Sequence, residues 1–205
     1  MRTLLVATGS PHKLAELRRL FGPLPFDLRT LADEGIVDEA PEDGATFAEN
    51  AVAKARFYAA ASGLFTLADD SGLEVEALDG APGVSTRRYA GPNATDAENI
   101  EKLLVAMRGL PPERRVARFV CTMAVVDPRA QVHRGGMKAR TFRGTCRGRI
   151  TGEPRGAFGF GYDPVFEVRG RTMAERSPSE KDRLSHRGRA AVRAGRYLRE
   201  LANQA

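Results

Sequence analysis

Leu64-Phe65-Thr66-Leu67-Ala68-Asp69-Asp70-Ser71-Gly72-Leu73 carries a run of apolar and β-forming residues straight into two adjacent carboxylates, a hydroxyl and a glycine. Residues 64–68 read as a strand, and Asp-Asp-Ser-Gly reads as the turn that ends it. Ligands of α/β sheets dock at strand ends, and carboxylates held there suit a divalent cation or general-base work. The same four residues also make an ordinary polar turn, so the flanking sequence decides.

On the N-terminal side, residues 2–7 form a strand-like run that leads into Thr8-Gly9-Ser10-Pro11-His12-Lys13, after which Leu14, Leu17 and Leu20 recur at helical spacing. Ser10 suits the N-cap and Pro11 the first helical position. A helix start of this kind can hold phosphate on its amides and Lys13, although the spacing is not that of a P-loop and a plain capped helix is equally served. A short strand follows over residues 26–30. Residues 33–44 are then acidic and irregular, with Asp38, Glu39, Glu42 and Asp43, and read as a solvated loop or as a metal-ligating stretch. Thr46-Phe47-Ala48-Glu49 is a capping box opening a helix whose Phe47, Ala51, Ala55, Tyr58 and Ala59 share one face.

On the C-terminal side, residues 73–78 alternate like a strand with one wet face, ended by Gly80-Ala81-Pro82-Gly83. Thr95-Asp96-Ala97-Glu98 opens another helix through Ile100, Leu103, Leu104 and Met107. Residues 117–126 predict a strand, Asp127-Pro128 a turn, residues 132–142 an antiparallel return, and residues 144–151 a further edge. Gly156-Ala157-Phe158-Gly159-Phe160-Gly161-Tyr162-Asp163-Pro164 alternates glycine with aromatics, so that backbone can approach a ligand while rings offer stacking faces. Residues 172–181 read as polar loop, and from His186 a closing amphipathic helix runs through Ala191, Ala194, Leu198 and Leu201.

With 205 residues the chain can bury a full core as a single domain over 1–205. The net charge of +6 favours a polyanionic ligand, but the arginines are scattered, without a basic tail or interleaved aromatics, so nucleic acid is not expected as a partner. Cys121 and Cys146 are the only cysteines and lack ligand spacing, which fits a reduced, cytoplasmic protein without structural zinc. No apolar run has the length of a signal or membrane-spanning segment, so no membrane partner is expected.

Three features therefore stand together: a phosphate-compatible loop with Lys13, the Asp69-Asp70 segment, and an aromatic-glycine loop followed by Lys181 and Ser185-His186-Arg187-Gly188. Phosphates need cations and amides, a metal needs carboxylates, and a base needs a ring and directional donors. In order and spacing these segments resemble the inosine/xanthosine triphosphate pyrophosphatase family, the non-canonical purine nucleoside triphosphate pyrophosphatases of the Ham1 and RdgB type. Thr46-Phe47 with Glu49-Asn50-Ala51 and Lys54-Ala55, Gly80-Ala81-Pro82-Gly83, and Ala94-Thr95-Asp96 with Asn99 match as well, so the likeness covers nearly the whole chain.

The resemblance implies an α/β fold: a long twisted mixed β-sheet flanked by helices, with two lobes and a central substrate cleft. It implies Mg2+-dependent hydrolysis of ITP, dITP and XTP to the monophosphate and pyrophosphate by a cytoplasmic homodimer acting on a small nucleotide. By position, Thr8, Gly9, Ser10, Pro11, His12 and Lys13 become the phosphate loop, Asp70 the proton acceptor and a metal ligand, Glu42 a second metal ligand, and Asp69 an assistant. Ser71 then lies against the substrate, and Phe160, Gly161, Tyr162, Asp163, Lys181, His186 and Arg187 recognise the base. Two departures stand out. Ser10 replaces the usual Asn and has a capping role of its own, and Val84-Ser85-Thr86-Arg87-Arg88-Tyr89 keeps only the final Arg-Tyr and a hydroxyl of the family's run. Hydrolysis of other modified nucleotides is the neighbouring alternative. A non-catalytic nucleotide- or RNA-binding module is the other, and Asp69-Asp70 argues against it, because a pure anion binder gains nothing from carboxylates without a metal.

Overall fold

The computed structural model describes residues 2–130 and 137–203. In chain order these form β1 (Arg2–Ala7), α1 (Pro11–Phe21), β2 (Phe26–Thr30), α2 (Phe47–Ser62), β3 (Phe65–Val75), α3 (Asp96–Ala106), β4 (Val116–Val126), β5 (Ala139–Ile150), β6 (Phe166–Val168), β7 (Arg171–Thr172), α4 (Pro178–Leu184) and α5 (His186–Asn203). The seven strands make one sheet in the order β2-β1-β3-β4-β5-β6-β7. β1 is parallel to β2 and β3, whereas β6 is antiparallel to β5 and β7, so the sheet is mixed as expected.

The described residues divide into two compact units, the first within Met1–Asp70, Cys121–Gly144 and Arg189–Ala205, the second within Ser71–Val120 and Thr145–Gly188. In the first unit, strand alternation sorts the apolar residues into two clusters. Leu4, Val6, Leu67, Cys121, Met123 and Val125 pack with Leu17 and Phe21 of α1 and with Ala190, Ala194 and Leu198 of α5. Leu5, Ala7, Ala68, Ala124 and Val126 pack instead with Ala51, Ala55, Tyr58 and Ala59 of α2. Covering both faces is why these strands read as continuous apolar runs. The second unit has a cluster of its own, in which Leu73 and Val75 meet Ile100 and Leu103 of α3, Met107 just after it, Cys146 and Ile150 of β5, and Tyr162 and Phe166.

Ser10 caps α1 by accepting from the Lys13 amide, and Thr46 and Thr95 close capping boxes with Glu49 and Glu98, as the sequence predicts. Four expectations change. Asp69 to Gly72 are not a turn: β3 passes through them without a break to Val75, and the predicted wet-faced strand over 73–78 is its end followed by a 3-10 turn, Glu76–Leu78. The predicted edge at 144–151 is part of the single strand β5. Gly148 does not interrupt it, because a Cβ there would lie 2.8 Å from the Phe166 ring, so the absent side chain is what lets β6 pair closely. Residues 132–136 of the predicted return strand lie outside the described residues. The supposed polar loop at 172–181 holds two further capping boxes, Thr172 with Glu175 and Ser177 with Glu180, and the latter starts α4. Among the described residues no helix is long and apolar enough to cross a membrane.

Arg115 fastens the second unit. Its Nε donates to the Ile150 carbonyl (2.8 Å), Nη1 to Met107 (2.9 Å) and Nη2 to Thr151 (2.7 Å), joining the end of α3 to the end of β5. Arg115→Ala should destabilise the protein by about 2–3 kcal/mol in urea unfolding, the scale of losing charge-assisted bonds to carbonyls. Arg115→Lys, lacking the planar fork, should recover less than half. A midpoint unchanged by Arg115→Ala would disprove this role.

Candidate active site

The β1–β3 register sets Ala7 opposite Ala68, so the loop that begins at Thr8 leaves the sheet level with Asp69. Because β3 stays extended, Asp69 shares the face of Leu67, toward α1 and α5, and Asp70 shares that of Ala68, toward α2. The adjacent carboxylates are thereby sent to opposite faces and bond different partners. This separation is the main correction to the sequence reading, and its cause is the uninterrupted strand.

Asp70, only 7% exposed, is met by α2. Asn50 Nδ2 donates to its Oδ2 (3.1 Å) and Lys54 Nζ to its Oδ1 (3.2 Å). The same ammonium donates to Glu42 Oε1 (2.9 Å), and Asn50 Oδ1 accepts from the Gly44 amide (2.8 Å), so α2 holds both the carboxylate and the acidic loop before it. Burial pushes the Asp70 carboxyl above the usual aspartate range, against the opposing pull of Lys54, Lys13 and Asn50. For Lys54, burial alone would lower the ammonium, but Asp70, Asp69 and Glu42 together outweigh it and hold the pKa above the usual lysine value.

On the other face, Lys13 Nζ lies 3.4 Å from Asp69 Oδ2, and the Cys121 thiol donates to the same oxygen at 3.9 Å. Asp69 thus anchors the lysine of the phosphate loop. Within that loop Thr8 Oγ1 accepts from the Ser10 amide (3.2 Å) and Ser10 Oγ from the Lys13 amide (3.4 Å), so the hydroxyl at position 10 serves the helix. Pro11 and His12 are exposed on the first turn of α1, and nothing would lie within 4 Å of a Cβ on Gly9.

In the second unit, the other candidate residues converge on Phe160. Lys181 Nζ sits 4.8 Å and Arg187 Cζ 5.8 Å from its ring centroid, both as cation–π contacts. Asp163, almost fully buried, accepts from Lys181 Nζ (2.5 Å) and from the Phe160 amide (2.9 Å). Arg187 is 2% exposed and donates from Nη2 to Ser71 Oγ (2.7 Å), and Ser71 follows Asp70 in the chain. His186 is also buried, its ring stacked on Phe119 at 4.6 Å and 11°. Both residues open α5, yet they are buried there rather than exposed. Tyr162 is placed as a pillar: its ring belongs to the apolar cluster, its hydroxyl donates to the Thr86 carbonyl (2.9 Å), and burial raises its pKa strongly.

Every sequence candidate thus falls into one of two groups. Thr8 to Lys13, Glu42, Asp69 and Asp70 belong to the first unit, and Ser71, Phe160 to Asp163, Lys181, His186 and Arg187 to the second. Sequence reasoning assigned no role to Asn50 and Lys54. The signal was present, since two polar residues four apart lie on the alanine face of α2, where a core helix has no use for them unless they are partnered.

The model of the Ham1 family matches residues 4–196. A dITP/XTP pyrophosphatase of Mycolicibacterium paratuberculosis is 50% identical over 196 residues, spanning 93% of this chain and 92% of that protein. The dITP/XTP pyrophosphatase of Bacillus subtilis is 41% identical over 200 residues, spanning 97% and 98%. Among solved structures, a HAM1 protein from Coxiella burnetii matches with a TM-score of 0.87 and 41% identity over 98% of this chain and 100% of that one.

Lys54→Met removes the strongest influence holding Asp70 down, so that carboxyl should titrate at higher pH in the variant, as read by carboxyl-carbon NMR. A carboxyl whose folded pKa exceeds its unfolded value, about 3.9, binds its proton more tightly when folded, so stability falls as pH rises between the two values. The variant widens that window. Its stability deficit in urea should be larger near pH ~7.5 than near pH ~5 by about 1 kcal/mol. Equal deficits at both would contradict the assignment.

Proposed function

The chain belongs to the Ham1 family, and from that premise we propose that it hydrolyses dITP, ITP and XTP to the nucleoside monophosphate and pyrophosphate. The observation that carries the reading is Asp70, a buried carboxylate whose pKa burial raises above the usual aspartate range while Lys54 beside it favours the charged form, the balance of influences that suits a general base.

In this reading Asp70 accepts a proton from a water molecule as that water attacks the α-phosphorus, and pyrophosphate departs. Lys13 and the amides of the loop at 8–13 stabilise charge growing on the phosphate oxygens, and Asp69 holds Lys13 in place for that task. Lys54 has two duties, keeping Asp70 ionised and tying Glu42 to it.

The donor set also fits a magnesium ion. Asp70 and Glu42 already share one cation, the Lys54 ammonium, at 3.2 and 2.9 Å. Among the described residues no group of three or more His, Cys, Asp or Glu side chains is placed to hold a metal. Magnesium needs no such cage, being held by one or two carboxylates together with substrate phosphates and water. When bound between Asp70 and Glu42 it would supply charge neutralisation at the polyphosphate.

The purine is assigned to Phe160, Lys181 and Arg187 of the second unit. Hypoxanthine and xanthine carry an oxygen at C6, which accepts hydrogen bonds, where adenine carries an amino group. Lysine and arginine only donate, so adenine leaves a buried donor unpaired at a cost of about 1–3 kcal/mol, roughly tenfold or more in discrimination. Tyr162 and Asp163 belong to the support of this region, one as a pillar and the other as the clamp on Lys181. The reading takes the enzyme as a cytoplasmic homodimer, whose mass light scattering would give.

Incubation with ITP, XTP, GTP and ATP in magnesium, with identification of products, tests the proposal. Monophosphate and pyrophosphate should appear from ITP and XTP and scarcely from ATP; diphosphate with orthophosphate would place the cleavage at another bond. Asp70→Asn should fold, and its kcat should fall by about 10²–10⁴. Because the parent needs Asp70 ionised, its kcat/KM should decline as pH drops through a value above the ordinary aspartate pKa, and that limb should vanish in Asp70→Asn. Parent-like turnover in a folded Asp70→Asn protein would refute the mechanism.

A further inference from the structure

We propose that Asp96 is a positioning residue for purine recognition, acting through Gly161 on Phe160. The inference rests on the reading of residues 160–163 as the base-recognition loop, and it adds a residue from another element that no motif of that loop contains.

Asp96 opens α3, yet that helix does not depend on it for its cap. Thr95 Oγ1 accepts from the Glu98 amide (3.2 Å) and Glu98 Oε2 from the Thr95 amide (2.7 Å), which completes the capping box without Asp96. The Asp96 carboxylate is turned elsewhere, and its Oδ2 accepts from the Gly161 amide at 2.6 Å, across 65 positions of sequence. The neighbouring amide, that of Phe160, donates at 2.9 Å to Asp163. The two amides that flank the Phe160 Cα are thus each held by a carboxylate, one from α3 and one from the loop itself. Charge-assisted bonds of this kind are roughly twice as strong as neutral ones.

Fixing both amides fixes the backbone at Phe160 and with it the direction of the ring. That ring is the face against which Lys181 and Arg187 rest. Gly161 has a φ of +60, and nothing lies within 4 Å of where its Cβ would be, so side-chain packing does not restrain the backbone there. Asp96 supplies that restraint. Without it the backbone at Phe160 loses the clamp on its Gly161 side, and the two cations lose a fixed platform from which to aim their donors at the base.

The test uses Asp96→Ala and Asp96→Asn in the full chain. Asparagine keeps an acceptor oxygen at the same reach, and alanine removes it. Amide hydrogen exchange over residues 157–163 should quicken about tenfold in Asp96→Ala and stay near the parent in Asp96→Asn, with both urea midpoints close to that of the parent. With ITP, KM should rise about tenfold in Asp96→Ala while kcat changes less than twofold, the preference for ITP over ATP should shrink, and Asp96→Asn should restore both. Unchanged exchange in Asp96→Ala would overturn the latch. Quickened exchange with an unchanged KM would overturn its role in recognition. A parent that fails to hydrolyse ITP would instead refute the underlying reading, and the exchange measurement would still decide the latch.

Discussion

The constraint on which the candidate site depends is the two-residue period of an unbroken strand. At Asp69 and Asp70 that period divides neighbouring carboxylates between opposite faces of β3, and each meets a lysine from a different helix, Lys13 on α1 and Lys54 on α2. A turn at the same place would have left both carboxylates in solvent, where neither pKa nor direction is controlled. The strand gives one carboxylate to Lys13 at the start of α1 and the other to Asn50 and Lys54 of α2. Two chemically identical side chains, adjacent in sequence, thereby acquire different surroundings.

Burying Asp70 carries an energetic cost that its surroundings only partly offset. Desolvation raises its carboxyl, and two lysines and an amide oppose this without cancelling it. A fully compensated carboxylate would be a weaker base, and an uncompensated one would stay protonated near neutrality. The same balance explains why Lys54 is retained inside an alanine-rich helix face. Surrounded by Asp70, Asp69 and Glu42 it remains charged despite its burial, and Glu42, itself exposed on an acidic loop, is held beside Asp70 by the same ammonium.

Much of this was legible in the sequence because it follows from local rules. The period of residues 2–7, the Ser10, Thr46 and Thr95 caps and the apolar faces of α1 and α2 depend on neighbours within a few positions, and the structure reproduces them. What could not be read depends on distant partners. Asp-Asp-Ser-Gly has the composition of a turn, and distant partners such as Lys13, Asn50, Lys54 and Arg187 make it tolerable as strand. The same holds for Gly148, which remains within β5 because Phe166 needs the space, and for His186, whose burial depends on the ring of Phe119. The Ser177–Glu180 capping box is different: that signal was local, and it was hidden by the polarity of the surrounding residues.

The aromatic-glycine loop shows how glycines can serve the scaffold where the sequence suggests room for a ligand. Its glycines suggested room for a ligand to approach the backbone, but at two of them the space is taken by the protein. A Cβ on Gly159 would collide with the Asp163 carboxylate, and one on Gly156 with the backbone of Ala174. The missing side chains admit a buried aspartate and a second stretch of main chain. The aspartate in turn orients Lys181 and the Phe160 amide. In this loop, then, glycine makes room for the scaffold. Lys181 and the Phe160 amide are held by Asp163 because the backbone of Gly159 lets that carboxylate in.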